Sequence, residues 1–68
     1  MSNEERVCEL EDKFVSLNAE TKKLESLIER LESEGMVEFV EVRVARLEAL
    51  VAEKNEVKNE LKKLYSIN

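Results

Sequence analysis

Few side chains in this 68-residue sequence could take part in covalent or acid-base chemistry. There is one cysteine, Cys8, and no histidine, so nucleophilic catalysis by a cysteine-histidine pair is excluded. The 16 carboxylates are spread along the chain, and no calcium-loop spacing occurs. A single glycine, Gly35, excludes a glycine-rich phosphate loop. These residues predict neither an enzyme nor a protein that holds a cofactor or a metal.

Cys8 lies next to the first apolar positions of a helical repeat. A lone cysteine cannot form a disulfide within its own chain. We expect a small, half-buried side chain, with crosslinking between chains under oxidation as the alternative.

The charge pattern bears on possible partners. The net charge is -5, and the only basic doublets are Lys22-Lys23 and Lys62-Lys63. An acidic chain repels phosphates, so we expect neither nucleic-acid binding nor attachment to an anionic membrane. No apolar run approaches the roughly 20 residues that span a bilayer, and the first charged residues are acidic where a signal peptide would be basic. The sequence therefore predicts an intracellular, cytoplasmic protein.

The composition favours long helices. Hydrophobic residues make up 43% of the chain and charged residues 40%, with no proline and one glycine. We expect an all-α fold with a single domain over residues 1–68. A core of this size supplies only about 3–5 kcal/mol, which favours self-association.

The first half of the chain carries an apolar repeat that alternates steps of three and four residues, as in a heptad repeat. Its members are Val7, Leu10, Phe14, Leu17, Thr21, Leu24, Ile28 and Leu31. Ser2 and Glu5 form a possible capping box, so helix 1 is predicted over about residues 3–33. Thr21 is the only polar member, and we expect its hydroxyl to bond to the backbone of its own helix.

A second repeat follows Gly35, in a helix predicted over about residues 37–65. Its apolar members are Val37, Val40, Val44, Leu47, Val51 and Leu61, with Lys54 and Lys58 between the last two. The two repeats are out of phase for one parallel coil. They come into phase if the chain reverses in a turn over about residues 33–36, which pairs Leu31 with Val37. The sequence thus predicts an antiparallel coiled-coil hairpin, with its lysine-containing half the weaker one.

Two other arrangements are consistent with these patterns. Because one glycine inside a helix costs only about 1 kcal/mol, two straight helices could pair as a domain-swapped antiparallel rod. The β-branched segment over residues 39–44 could instead form a short strand.

The second helix has apolar residues outside its repeat. They are Phe39, Val42, Leu50, Val57 and Leu64. Helices that are apolar on more than one side usually pack against several neighbours. We expect these residues to form a secondary interface that joins two hairpins into a homodimer with four helices. The alternative is an adaptor that binds a helix of a partner protein or a small GTPase.

Two short segments resemble leucine zippers of the bZIP family. They are Leu10-Glu11-Asp12-Lys13 and Val44-Ala45-Arg46-Leu47, the latter followed by Leu50-Val51. The resemblance implies coiled-coil pairing. It does not imply DNA binding, because no basic segment precedes either stretch. The sequence therefore predicts an oligomerisation or scaffolding element that acts through helix-helix contacts.

Overall fold

The computed structural model describes residues 3–67, which form two helices joined by a short turn. Helix α1 spans Asn3–Ser33, and helix α2 spans Val37–Ile67. They pack side by side in opposite directions, in a body 49 Å long and 16 by 14 Å across. The predicted all-α hairpin is confirmed. The rod is not adopted, and residues 39–44 are helical, so the strand alternative is wrong. The proposed cap at Ser2 lies outside the described residues.

The first helix ends in a Schellman motif at Gly35. This residue has a φ of 75°, in the left-handed region that glycine adopts without strain. The Gly35 N–H donates to the carbonyl of Glu32 at 3.1 Å, and the Met36 N–H donates to that of Leu31 at 2.9 Å. The Met36 carbonyl then accepts the N–H of Phe39 at 3.1 Å, so the second helix begins without a capping side chain. We call this end of the hairpin the loop end and the opposite end the open end.

Every member of the α1 repeat is buried or half-buried in the hairpin. The buried members are Leu10, Leu17, Thr21 and Ile28, and the half-buried members are Val7, Phe14, Leu24 and Leu31. Thr21 Oγ1 donates to the Leu17 carbonyl at 2.7 Å. The expectation for this hydroxyl is confirmed, and a polar residue is accommodated in the seam without a partner on α2.

The second helix presents a different row to α1 from the one predicted. Its seam consists of Val40, Arg43, Leu47, Leu50, Lys54, Val57, Leu61 and Leu64, again with steps of three and four. Val37, Val44 and Val51, assigned to the seam by the sequence pattern, are 63%, 36% and 37% exposed. Leu50, Val57 and Leu64, assigned to a secondary interface, lie in the seam instead. The predicted α2 row is corrected accordingly.

Apolar burial explains why α2 is rotated this way. Both rows share Val40, Leu47, Lys54 and Leu61. They differ in the other residues of the seam, which were predicted to be Val37, Val44, Val51, Lys58 and Tyr65 and are instead Arg43, Leu50, Val57 and Leu64. The predicted row would bring Lys58 into the seam, where burying its charge is costly. The observed row buries Leu50 and Val57, and each such side chain contributes about 1.5–3 kcal/mol when fully buried.

The main apolar cluster consequently lies in the open half of the hairpin. It contains Leu10, Leu17, Leu50, Val57 and Leu61, with Val7, Phe14, Leu24 and Leu64 packed against it. The expectation that this half would be the weaker one assumed that both Lys54 and Lys58 lie in the seam, whereas Lys58 is exposed. Nearer the loop, the seam includes the half-buried Arg43, whose Nη1 donates to the carbonyl of Phe39 on its own helix at 3.2 Å.

Candidate helix-binding surface

Three ion pairs join the helices along one edge of the hairpin. They are Arg6 with Glu60 at 2.8 Å, Lys13 with Glu53 at 3.3 Å, and Glu20 with Arg46 at 3.7 Å. We call these six residues the ladder edge. A step of seven residues along α1 matches a step of seven back along α2, so the pairs fit one antiparallel alignment. Exposed pairs of this kind contribute at most about 1 kcal/mol each, so they favour the alignment more than they add stability.

The ladder edge was not identified from the sequence, although a signal for it exists. Its α1 members directly precede Val7, Phe14 and Thr21, and its α2 members directly precede Leu47, Lys54 and Leu61. Complementary charges at these flanking positions are typical of coiled coils. The signal becomes visible only with the observed α2 row. The bond with Glu60 raises the pKa of the Arg6 guanidinium above its ordinary value.

The opposite edge is formed differently. On α2 it carries Val37, Val44, Val51, Lys58 and Tyr65, each seven residues after the last, and we call this row the valine edge. Its contact with α1 at the open end is the Tyr65 hydroxyl, which donates to Glu11 Oε2 at 2.7 Å. This hydrogen bond, and to a lesser extent burial, raises the pKa of Tyr65 above its ordinary value of 10.0. The three valines leave apolar surface open to solvent.

Lys54 occupies the seam between the two edges. Its Nζ donates to Asn18 Oδ1 at 3.1 Å and lies 5.7 Å from the centroid of the Phe14 ring. The half-buried stem covers apolar surface while the ammonium group keeps a polar partner and a favourable contact with the ring. Lys58, expected in the same seam, is exposed on the valine edge.

The concave surfaces are open grooves along the two edges. The groove at the ladder edge, about 590 Å³, is lined mainly by charged side chains, including Arg6, Lys13 and Glu60. The groove at the valine edge, about 580 Å³, lies at the open end. Its lining includes Phe14, Val15, Lys58, Leu61, Lys62 and Tyr65. Glu11 also lines this second groove, which contains none of the three valines.

Residues 3–67 contain no group of three or more histidine, cysteine or acidic side chains that could hold a metal ion. Cys8 is an exposed free thiol, which corrects the expectation that it would be half-buried. Neither described helix has an apolar stretch long enough to cross a bilayer.

No protein-family model, curated protein or solved structure matches this chain. The candidate surface is therefore assessed from its own geometry. Besides the valine edge, α2 exposes Phe39 and Val42, and Met36 is exposed in the adjoining turn. Of the residues expected to form a secondary interface, Phe39 and Val42 are thus the ones that remain on the surface.

Proposed function

We propose that this chain is an oligomerisation or scaffolding element whose hairpin binds further copies of itself through helix-helix contacts. The observation that supports the proposal most directly is the apolar surface on α2. Val37 is 63% exposed, Val44 36% and Val51 37%. Burial of apolar surface is the main driving force for association between proteins, and contiguous exposed apolar patches are typical of interaction sites.

The limited core of a single hairpin also supports self-association. Two helices can enclose only one seam, and no side chain among the described residues is completely buried. A second hairpin packed on α2 would convert one seam into the core of a four-helix arrangement. Association would thus add stability to a chain whose own core supplies only a few kcal/mol.

Sedimentation or light scattering over a protein concentration series tests the proposal. A homodimer should have twice the 7.9 kDa mass of the chain. Its unfolding temperature, followed by circular dichroism, should rise with protein concentration because association stabilises only the folded state. A mass that stays at 7.9 kDa together with a concentration-independent midpoint would contradict self-association.

A second candidate function is binding of an amphipathic helix from another protein. Met36, Phe39 and Val42 favour it, because these exposed side chains lie off the valine edge. Helical peptides selected against the chain would then lose binding to a Phe39→Ala variant. They should still bind a Val15→Ala variant, which truncates a more exposed apolar side chain, on α1. Equal binding to both variants would contradict this second function.

A further inference from the structure

We infer that two copies of this chain pair in antiparallel orientation through their valine edges, around a two-fold axis close to Val51. The inference rests on the proposed self-association and assigns its surface. Val44 and Val51 each retain more than a third of their exposure beside a well-packed seam, and Val37 retains nearly two thirds. At a symmetric dimer interface the same surface of each copy faces the other. With the axis at Val51, Val51 meets Val51, Val44 meets the apolar stem of Lys58, and Val37 meets the ring of Tyr65 of the other copy.

The two edges of the hairpin differ in what they can offer a second copy. On the ladder edge, six charged groups are already paired within the chain. Covering them would desolvate satisfied ion pairs, which is costly. On the valine edge, three apolar side chains stand in a row, and its polar groups, Lys58 and the Tyr65–Glu11 hydrogen bond, lie only towards the open end. The valine edge is therefore the side on which a neighbouring helix gains most.

Charge complementarity indicates that the partner is a second copy of the chain and gives its orientation. Near the loop end, Glu41 and Glu48 flank the valines on α2, whereas Lys58 and Lys62 flank the same face near the open end. Glu41 lies ten residues before Val51, and Lys62 lies eleven residues after it. An antiparallel two-fold at Val51 therefore brings the acids of each copy towards the lysines of the other. A parallel pair would place like charges side by side.

Acids of α1 line the same side towards both ends of the helix. Glu25 and Glu32 lie towards the loop end, and Glu11 lies at the open end, where it accepts the Tyr65 hydrogen bond. The polarity that orients the two copies therefore comes from the charges of α2.

The hairpin is long enough for a stable dimer. One long side measures 49 Å by about 14 Å, an outline on the order of 700 Å². Two copies that covered this whole side would bury on the order of 1,400 Å², an upper bound that lies within the roughly 1,200–2,000 Å² of standard protein interfaces.

Substitution of the central valine tests the assignment. Val51→Glu places two glutamates opposite each other at the axis, and Val42→Glu is the matched control on another exposed face. The dimer dissociation constant from sedimentation should rise at least tenfold for Val51→Glu. Val42→Glu should remain within about twofold of the unchanged chain, with all helix contents equal by circular dichroism.

Charge reversal tests the orientation. Glu41→Lys alone and Lys62→Glu alone should each weaken the dimer, and the double variant should recover most of the loss, because it restores opposite charges across the two-fold. A dimer that is lost in Val42→Glu but kept in Val51→Glu overturns this surface and leaves self-association standing. Absence of recovery in the double variant overturns the antiparallel orientation. A chain that is monomeric before any substitution overturns the proposed function as well.

Discussion

Truncation of Leu50 provides the most direct test of the observed packing. Leu50 is 4% exposed and belongs to the main apolar cluster. Leucine-to-alanine changes in protein cores cost about 2–5 kcal/mol, and the cost depends on how far the surroundings close the cavity. A two-helix seam can adjust more readily than a core enclosed on all sides, so we expect about 2–3 kcal/mol for Leu50→Ala.

The loss is large relative to the stability available. Hairpins of this size are stabilised by only about 3–5 kcal/mol. A loss of about 2–3 kcal/mol lowers the ratio of folded to unfolded chains roughly 30- to 150-fold. Urea denaturation followed by circular dichroism measures this loss of stability. The slope of the unfolding free energy against urea concentration should be the same for the variant and the unchanged chain.

The neighbouring residue Val51 is the matched control for the α2 row. Val51→Ala removes apolar surface that is 37% exposed within the hairpin, so it should cost under about 1 kcal/mol. Both variants are measured at the lowest protein concentration that gives a signal, where association contributes least. If Val51→Ala proved as destabilising as Leu50→Ala there, or if Leu50→Ala cost less than about 1 kcal/mol, the row assigned to α2 would be refuted.

Three further predictions concern the turn, the polar seam residue and the tyrosine. Gly35→Ala should destabilise the hairpin by about 1–2 kcal/mol in urea denaturation, because a residue with a Cβ is strained at a φ of 75°. The added Cβ would have no atom within 4 Å, so the cost comes from the backbone alone, and an unchanged midpoint would contradict this. Thr21→Val should stay within about 1 kcal/mol of the unchanged chain, because the hydroxyl bonds only to the Leu17 carbonyl, and a loss above about 2 kcal/mol would show that the hydroxyl matters more. The ultraviolet titration of Tyr65, the only tyrosine, should have its midpoint above 10.0, and Glu11→Ala should return it towards that value. Since the folded-state pKa is raised, the stabilisation from this bond should be present below pH 10.0 and be lost as the pH rises through the raised pKa. Unfolding of the unchanged chain and of Glu11→Ala, measured as a function of pH, tests this.

Much of the architecture could be predicted from residue types and spacing. The α1 repeat is interrupted only by Thr21, so one face of that helix is unambiguous, and the phase change at Gly35 favours a chain that reverses there. Gly35 itself is the residue that most readily adopts the left-handed conformation needed to end α1. These features depend on the local period of the chain and on backbone conformation, both of which are properties of short segments.

Tertiary packing decided which side of α2 meets α1, because that helix has two apolar rows and its sequence does not rank them. The row of Leu50 and Val57 prevails because it brings more apolar surface against the α1 leucines and keeps Lys58 in solvent. The ladder edge and the exposed valine edge both follow from that single rotation. An apolar repeat gives the direction and period of a seam, whereas the choice between adjacent rows depends on the side chains that the other helix presents.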